Sequence, residues 1–318
     1  MQNNKNLIIH VGLPKTGTSF LQSKIFPNLE KIYHSGNGDP NVYSTPLACL
    51  MNLNHIYRKK NSSFDFVSKK NKINNFIQNL DCEKILFSSE GLTGSNRYDC
   101  LNNIFNTNIL KMIFPEAKII FMFRNQSNWL ESIYNQRVIK EKKDIKINNY
   151  LGYKNSTFVK GKYLHIEAFN WLNIYENYVK NFESENVLAL PYELMKEDMN
   201  LFLSKFYEFS EIEPYHPKVI EDVNPKENVF IAEVNLLLRF YLNSIEYIKV
   251  DKIKKIIRRN DKGFKKLLEK IKIFNLKIDY SKEILTLEQR EKILKIHEES
   301  NKKLSELINI DLGQYGYY

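Results

Sequence analysis

The chain has 318 residues, of which 43% are hydrophobic, and this is enough to bury a large core in one elaborated domain. Its three cysteines, Cys49, Cys82 and Cys100, follow neither a disulfide framework nor a zinc-binding spacing, which excludes small disulfide-bonded and zinc-stabilised proteins. The longest apolar runs have the length of strands, and the first residues show no signal-peptide pattern, so we expect a soluble cytoplasmic protein.

The positive charge is concentrated in one late segment. The net charge is +10, and residues 249–277 alone hold 12 Lys and Arg against 3 Asp and Glu. Apolar residues recur at helical spacing on both sides of Gly263, which predicts two packed amphipathic helices with a solvated basic face. The same segment also fits a surface that attracts an acidic glycan or anionic lipid at the inner face of a membrane. No nucleic-acid motif accompanies the charge, so we expect no nucleic-acid partner.

The first predicted element is a short buried strand that runs into a loop and then a helix, across residues 8–22, IIHVGLPKTGTSFLQ. Gly12 and Gly17 bound the loop, whose N–H groups would converge with the positive end of the helix dipole on one anion. The spacing is similar to that of a Walker A loop, but Thr18 occupies the lysine position and the lysine stands earlier, at Lys15. A lysine inside the loop reaches only a group near the first phosphate, so we expect a ligand that is short at its 5′ end.

Three further apolar runs predict strands that alternate with helical patterns. The strands are residues 84–90, 118–123 and 186–191, and the helices are residues 66–80, 99–114, 126–142, 166–183 and 193–208. This alternation is typical of a three-layer α/β fold, in which helices flank a mostly parallel central sheet. From residue 227 onward only helical patterns remain. We therefore expect a single domain over residues 1–318, with a ligand-binding core, 1–226, and C-terminal helices, 227–318, packed on it.

The predicted strand that ends at Phe123 is followed directly by Arg124, and Ser132 comes two helical turns later. A guanidinium so placed suits a phosphate, because it offers a fork of donors. In a parallel sheet, ligands bind at the carboxyl ends of the strands, where Lys15, Glu90 and Arg124 would all lie. We therefore expect these residues to share one ligand site.

The segment GLPKTGTS and the pair Arg124 and Ser132 resemble, in this order, the 5′-phosphosulfate loop and the 3′-phosphate site of the sulfotransferases that use 3′-phosphoadenosine 5′-phosphosulfate (PAPS). The resemblance implies a P-loop-type fold and transfer of a sulfuryl group to an acceptor hydroxyl, with adenosine 3′,5′-bisphosphate (PAP) as product and no metal. The donor-binding residues that it implies are Lys15, Thr16, Gly17, Thr18, Ser19, Arg124, Ser132 and Tyr192. Of these, Tyr192, in the segment LALPYELMKED, would contact the adenine side.

Glu90 ends a predicted strand in the phrase SSEGL, where a carboxylate can reach an acceptor oxygen. In glycan and tyrosyl sulfotransferases the catalytic base is a glutamate, and in small-molecule members it is a histidine. No histidine follows Ser88 closely, so the resemblance makes Glu90 the candidate base. It makes Lys15 the residue that takes up charge on the leaving phosphate. The alternative for Glu90 is a structural carboxylate that caps the turn 91–93.

The RKGxxGDW-type loop, by which the cytosolic enzymes of animals and plants clamp the 3′ end of the donor, has no counterpart in this sequence. Lys226, in the phrase DVNPKEN, could serve in its place. The difference favours the carbohydrate-directed or bacterial branches. It therefore favours an acceptor hydroxyl on a saccharide, a glycolipid or a cell-surface glycan precursor.

Three aromatic features have no role in this predicted site. His10 lies inside the first strand and Trp129 on the helix after Arg124, so we interpret both as core residues. The tyrosine-rich residues 315–318 fit either a docked tail or a disordered one.

Two other functions are compatible with the sequence. A P-loop nucleotide or small-molecule kinase would need Mg·ATP, and the displaced lysine and the lack of a convincing Walker B aspartate disfavour it. A peripheral membrane or scaffold protein could keep an anion pocket without catalysis and bind lipid through residues 249–277.

Overall fold

A computed structural model describes residues 5–37, 39, 41–59, 65–95, 100, 102–139, 146–160, 163–215 and 284–318. Apart from Ile284, these residues belong to one compact unit. Lys226 and the basic segment 249–277 lie outside the described residues. The roles predicted for them therefore stay predictions, as does the single domain over residues 1–318.

The core is a five-stranded sheet in which every neighbouring pair of strands is parallel. The strands are β1 (Asn6–Gly12), β2 (Ile32–Gly36), β3 (Lys84–Ser89), β4 (Lys118–Phe123) and β7 (Val187–Pro191), in the spatial order β2-β3-β1-β4-β7. A separate antiparallel hairpin joins β5 (Tyr153–Lys154) to β6 (Thr157–Phe158). The predicted α/β fold with a mostly parallel sheet is confirmed.

The inner strands are buried on both faces, as parallel strands between layers of helices are. Nearly every side chain of β1, β3 and β4 is buried, and each of these strands is rich in Ile, Leu, Val or Phe. The three strands predicted from apolar runs are confirmed to within one residue. The apolar pattern misses β2, because this edge strand has the partly polar sequence IYHSG and is only half-buried.

Helices flank the sheet. In chain order they are α1 (Thr18–Phe20), α2 (Ala48–Met51), α3 (Leu53–Lys59), α4 (Phe66–Gln78), α5 (Asn103–Ile113), α6 (Gln126–Ile139), α7 (Ile147–Leu151), α8 (Trp171–Phe182), α9 (Tyr192–Glu197), α10 (Met199–Ser210) and α11 (Leu287–Ile308). Within the described part of the chain, no helix combines the length and apolar character needed to cross a membrane.

Three predicted helix limits are wrong. The helix predicted at 99–114 begins only at Asn103, and in the other two cases a capping side chain is the reason. The single helix predicted at 193–208 is divided into α9 and α10. The division occurs at Asp198, which ends α9 and whose carboxylate accepts a hydrogen bond from the N–H of Leu201 at the start of α10. The pattern at 166–183 becomes α-helical only at Trp171, because Asn170 caps α8.

The register of the sheet brings four strand ends to one edge. Residue Val11 of β1 pairs with Ser89 of β3 and with Phe121 of β4, while Phe123 of β4 pairs with Pro191 of β7. The segments that follow these strands therefore emerge side by side at the carboxyl edge of the sheet, which is where ligands bind in such folds.

Candidate active site

The loop after β1 contains two residues with positive φ, one glycine and one lysine. Gly17 has φ +86° and Lys15 has φ +72°, so two nearby residues adopt the left-handed conformation that forms anion-binding concavities. The hydroxyl of Thr16 donates to the carbonyl of Leu13 over 2.7 Å and closes the turn from within. A Cβ atom at Gly17 would overlap the terminal methyl group of Met195 on α9, so that side chain would have to move, and the positive φ would strain any other residue.

The N–H groups of this loop are available to a ligand. Among the described residues, the backbone N–H groups of Thr16, Gly17, Thr18 and Ser19 donate no hydrogen bond to a backbone carbonyl. The side chains of Thr16 and Thr18 are buried, whereas that of Ser19 is exposed. Orphaned donors at a helix start are the usual partners of phosphate and sulfate oxygens.

Glu90 lies beside this loop, at the point where β3 ends and a short 3₁₀ turn, Glu90–Leu92, begins. Its carboxylate interacts with the hydroxyl of Thr18 and with the charge of Lys15. Burial raises the pKa of Glu90, and the Thr18 hydrogen bond and the Lys15 charge each oppose that rise. The two residues predicted as catalytic therefore lie within electrostatic reach of one another.

Uncharged amides fix the turn that carries Glu90. We call Asn54, Asn102, Asn103 and Asn106 the asparagine cluster. Asn106 donates to the carbonyls of Gly91 and Leu92, each over 3.1 Å, and Asn103 donates to the carbonyl of Thr93 over 2.9 Å. Asn54 accepts hydrogen bonds from both Asn102 and Asn106, and the last three members of the cluster are fully or almost fully buried. Buried carbonyls must be paired, so the cluster determines the path of the turn.

Arg124 connects the end of β4 to the loop. Its Nη1 donates to the carbonyl of Lys15 over 3.2 Å, and its guanidinium carbon lies 4.7 Å from the centre of the Tyr192 ring. The Nε atom is 4.0 Å from Oε1 of Glu193. The structure thus brings together three of the residues predicted for the two ends of the ligand, Lys15, Arg124 and Tyr192.

Two indole rings support the backbone on either side of this contact. Trp129 donates through Nε1 to the carbonyl of Pro14, and Trp171 donates to the carbonyl of Arg124, each over 2.8 Å. Both rings are fully buried and meet edge to face, with centroids 5.4 Å apart. Trp129 is therefore a core residue, as predicted, and it also holds the loop.

Ser132 is the predicted site residue with the fewest visible interactions. It lies half-buried on α6, and its hydroxyl makes no hydrogen bond with a described residue. Its proposed role as a phosphate ligand stays a prediction.

His10 is a core residue, as predicted, and it belongs to a polar group behind the loop. Its Nδ1 is 2.7 Å from the hydroxyl of Ser88, to which the amide of Gln22 also donates over 2.9 Å. Burial lowers the pKa of His10 to about 3, so the imidazole is neutral near pH 7. The three cysteines are free thiols, which agrees with the sequence.

Glu193 is the site residue that the sequence reasoning leaves without a role. Its carboxylate accepts from the N–H of Asn125 over 3.2 Å and from the hydroxyl of Tyr317 over 2.8 Å, and it faces Arg124. A local signal for it does exist, because a glutamate two residues past the end of β7 must lie near the residue that follows β4. Nothing in the sequence signals the contact from Tyr317.

Among the described residues, no three His, Cys, Asp or Glu side chains are placed to hold a metal ion together. The fold and the site define a P-loop-type α/β protein whose loop, lysine and strand-end arginine are arranged for a phosphate-bearing ligand. A family model described as a sulfotransferase domain matches residues 5–305, and the chain belongs to this family.

Solved structures with a similar fold include several sulfotransferases. One from Alicyclobacillus acidocaldarius is 13% identical, with a TM-score of 0.47 over 73% of this chain and 92% of that one. Mouse sulfotransferase SULT7A1 complexed with PAP is 17% identical, with a TM-score of 0.37 over 66% and 61% of the two chains. The sulfotransferase domain of the curacin biosynthetic pathway is 14% identical, with a TM-score of 0.36 over 70% and 81%. No curated protein sequence matches this chain.

Proposed function

We propose that this chain transfers the sulfuryl group of PAPS to a hydroxyl group of an acceptor. The observation that carries the proposal is the hydrogen bond from Arg124 Nη1 to the carbonyl of Lys15, 3.2 Å long, because it joins the two motifs predicted for the two ends of the donor. The loop alone would serve a ligand with one anionic group. A second cation on the neighbouring strand end suits a ligand with two separated phosphates.

The polar groups of the site suit such a donor. Besides the loop N–H groups, the side chain of Arg124 is 20% exposed and lies beside the loop. A guanidinium offers a fork of donors that suits phosphate oxygen. In the proposal, Lys15 and the loop Thr16–Ser19 bind the 5′-phosphosulfate, Arg124 and Ser132 bind the 3′-phosphate, and Tyr192 contacts the adenine side.

Lys15 and Glu90 are proposed as the catalytic residues. PAPS supplies an activated sulfuryl group whose leaving oxygen belongs to a 5′-phosphate. Lys15 would take up the negative charge that grows on that oxygen, with the loop N–H groups as further donors and no need for a metal ion. Glu90 would accept the proton of the acceptor hydroxyl, and its raised pKa makes the carboxylate a stronger base.

The acceptor class is part of the same proposal. A glutamate in the position of the base and the lack of an RKGxxGDW-type loop both favour a saccharide, a glycolipid or a cell-surface glycan precursor as the acceptor. A cytoplasmic location, with contact to an anionic membrane through residues 249–277, also belongs to the proposal.

Calorimetric titration with PAP tests the donor without knowledge of the acceptor. We expect tight binding that persists in excess EDTA and is lost in Lys15→Ala, because the loop lysine contacts the 5′-phosphate in this proposal. The parallel titration uses ATP with Mg²⁺. Preference for Mg·ATP would replace the sulfotransferase proposal by the kinase alternative, and binding of neither nucleotide would leave only a site for other anions.

A further inference from the structure

Residues 309–318 fold back from α11 onto the strand end that carries Arg124. Tyr317 is completely buried, and its ring packs edge to face on Phe123, with centroids 5.8 Å apart. The backbone beside it is held by two amides: Asn125 donates to the carbonyl of Gly316 over 2.6 Å, and Asn301 of α11 donates to the carbonyl of Tyr317 over 3.0 Å. Of the two sequence-based alternatives for these residues, the docked tail is confirmed.

The phenol of Tyr317 is aimed at a carboxylate that faces Arg124. Its hydroxyl donates to Oε2 of Glu193 over 2.8 Å, while Oε1 of the same carboxylate lies 4.0 Å from Nε of Arg124. The side chain of Glu193 is only 12% exposed, so each oxygen depends on protein donors rather than on water. The two oxygens of one carboxylate thus connect the tail to the guanidinium.

The protonation states favour this connection. Burial raises the pKa of Glu193, and the hydroxyl of Tyr317, the charge of Arg124 and the N–H of Asn125 each lower it. The pKa of Tyr317 is well above its ordinary value, so the phenol stays protonated and remains a donor. Burial also raises the pKa of Tyr315 in the same tail, and several carboxylates, Glu193 among them, add to that rise.

We propose that Tyr317 is a positioning residue of the donor site: its hydroxyl holds Glu193 in the orientation that sets the guanidinium of Arg124 for a 3′-phosphate. The inference rests on the proposed function, in which Arg124 binds that phosphate. It concerns a residue beyond the part of the chain that the family model matches, 5–305. Tyr317 touches no ligand in this scheme and acts through Glu193 alone.

The test compares two ligands that differ by the 3′-phosphate. Isothermal titration of Tyr317→Phe should show the affinity for PAP reduced about tenfold, because a charge-assisted hydrogen bond that orients Arg124 is lost. The affinity for adenosine 5′-monophosphate, which lacks the 3′-phosphate, should not change. The matched control is Tyr318→Phe, since that hydroxyl contacts Ser305 and Asp311 and should leave both affinities unchanged.

A double-mutant cycle separates positioning from general loosening of the tail. In an Arg124→Ala background, Tyr317→Phe should have no further effect on PAP affinity. If it still weakens PAP, or weakens both nucleotides equally, the phenol has a purely structural role and the inference fails. If Tyr317→Phe does not fold, Glu193→Gln, which keeps the shape of the carboxylate, should show the same loss confined to PAP.

The same titrations distinguish this inference from the proposed function. If the wild-type protein binds PAP and Tyr317→Phe binds it with the same affinity, the inference is overturned and the proposed function is not. Wild-type protein that binds no PAP would overturn both.

Discussion

The two sides of the proposed anion-binding loop are held in place by different chemistry. The Glu90 flank, which is the turn 90–93 with the asparagine cluster, is fixed by uncharged amides bonded to backbone carbonyls. The Arg124 flank, which is Arg124 with Tyr192, Glu193 and Tyr317, is fixed by an opposite charge, an aromatic ring and a phenol. The first support orients a carboxylate and adds no charge of its own, whereas the second balances a partly buried cation.

This difference suits the two tasks proposed for the flanks. A nearby cation would lower the pKa of a carboxylate and make it a weaker base. Neutral amides orient the carboxylate of a general base without this effect, so burial can keep its pKa raised. A partly buried guanidinium is costly unless a carboxylate compensates it before the ligand arrives. The comparison therefore predicts that damage to one flank affects turnover and damage to the other affects donor affinity.

The largest expected effect is on turnover, in Glu90→Gln. We expect kcat to fall by about 10²–10⁴-fold, the usual contribution of a general base, with PAP affinity close to wild type. Because burial raises the pKa of Glu90, the acidic limb of the wild-type kcat profile should lie above the ordinary glutamate pKa of 4.5. Steady-state sulfuryl transfer measured against pH checks this. Glu83→Gln, at an exposed position before the same strand, is the control, and a loss of PAP binding in Glu90→Gln would make Glu90 structural.

The next effect is on donor affinity, in Arg124→Ala. We expect PAP to bind about 10- to 100-fold more weakly, because one or two charge-assisted hydrogen bonds to phosphate are lost, while adenosine 5′-monophosphate binds as before. Calorimetry of both nucleotides measures the difference. The exposed Arg58→Ala is the control for a change in net charge. Equal weakening of both nucleotides would mean that Arg124 only supports the loop through the carbonyl of Lys15.

A smaller effect, on stability, should follow from Asn106→Ala in the neutral flank. Two buried carbonyls lose their donor and a small cavity opens, so the free energy of unfolding should fall by about 2–4 kcal/mol. We expect kcat to decline with it and PAP affinity to remain. Urea unfolding, steady-state sulfuryl transfer and calorimetric titration with PAP on the same sample test these three statements. Asn79→Ala at the exposed end of α4 should change none of the three quantities, and an unchanged kcat in Asn106→Ala would contradict a role for the cluster in placing Glu90.

The smallest effect, counted for one histidine and one pH unit, is a pH dependence of stability that comes from two buried neutral histidines outside both flanks. Burial lowers the pKa of His10 to about 3 and that of His297, on α11, to about 4, from 6.5. The unfolded chain therefore takes up protons below pH 6.5 that the native state does not bind. Stability is lost as pH falls from 6.5 toward 4, by up to about 1.4 kcal/mol per pH unit for each histidine.

The variant His297→Gln isolates one of these contributions. Its free energy of unfolding should depend less steeply on pH than that of the wild type between pH 6 and 4.5. Thermal or urea unfolding across this range checks the slope, with exposed His55→Gln as the control. Parallel curves for wild type and His297→Gln would show that His297 is not kept neutral by the fold.

Local patterns in the sequence predict most of the sheet and half of the site. The loop, Glu90 and Arg124 are each found because an apolar strand ends immediately before them. The edge strand β2 lacks an apolar run, and the helices near 171 and 198 begin where a single Asn or Asp caps them. Glu193 and Tyr317 could not be paired from the sequence, since their contact joins residues 124 positions apart and depends on the tertiary fold.

The contacts that close the proposed donor site have a consequence for how the protein folds. They join residues 109, 115, 124 and 191 positions apart: Arg124 to Lys15, Trp129 to Pro14, Tyr317 to Glu193, and Asn125 to Gly316. To form each contact, the chain must first lose conformational entropy by closing a long loop, and only then does the contact stabilise it. Such contacts therefore form slowly. We therefore expect the ability to bind a nucleotide to be among the last properties that the refolding chain acquires, after most secondary structure has formed. A newly synthesised chain would then reach its full affinity for PAP only once Tyr317 has left the ribosome.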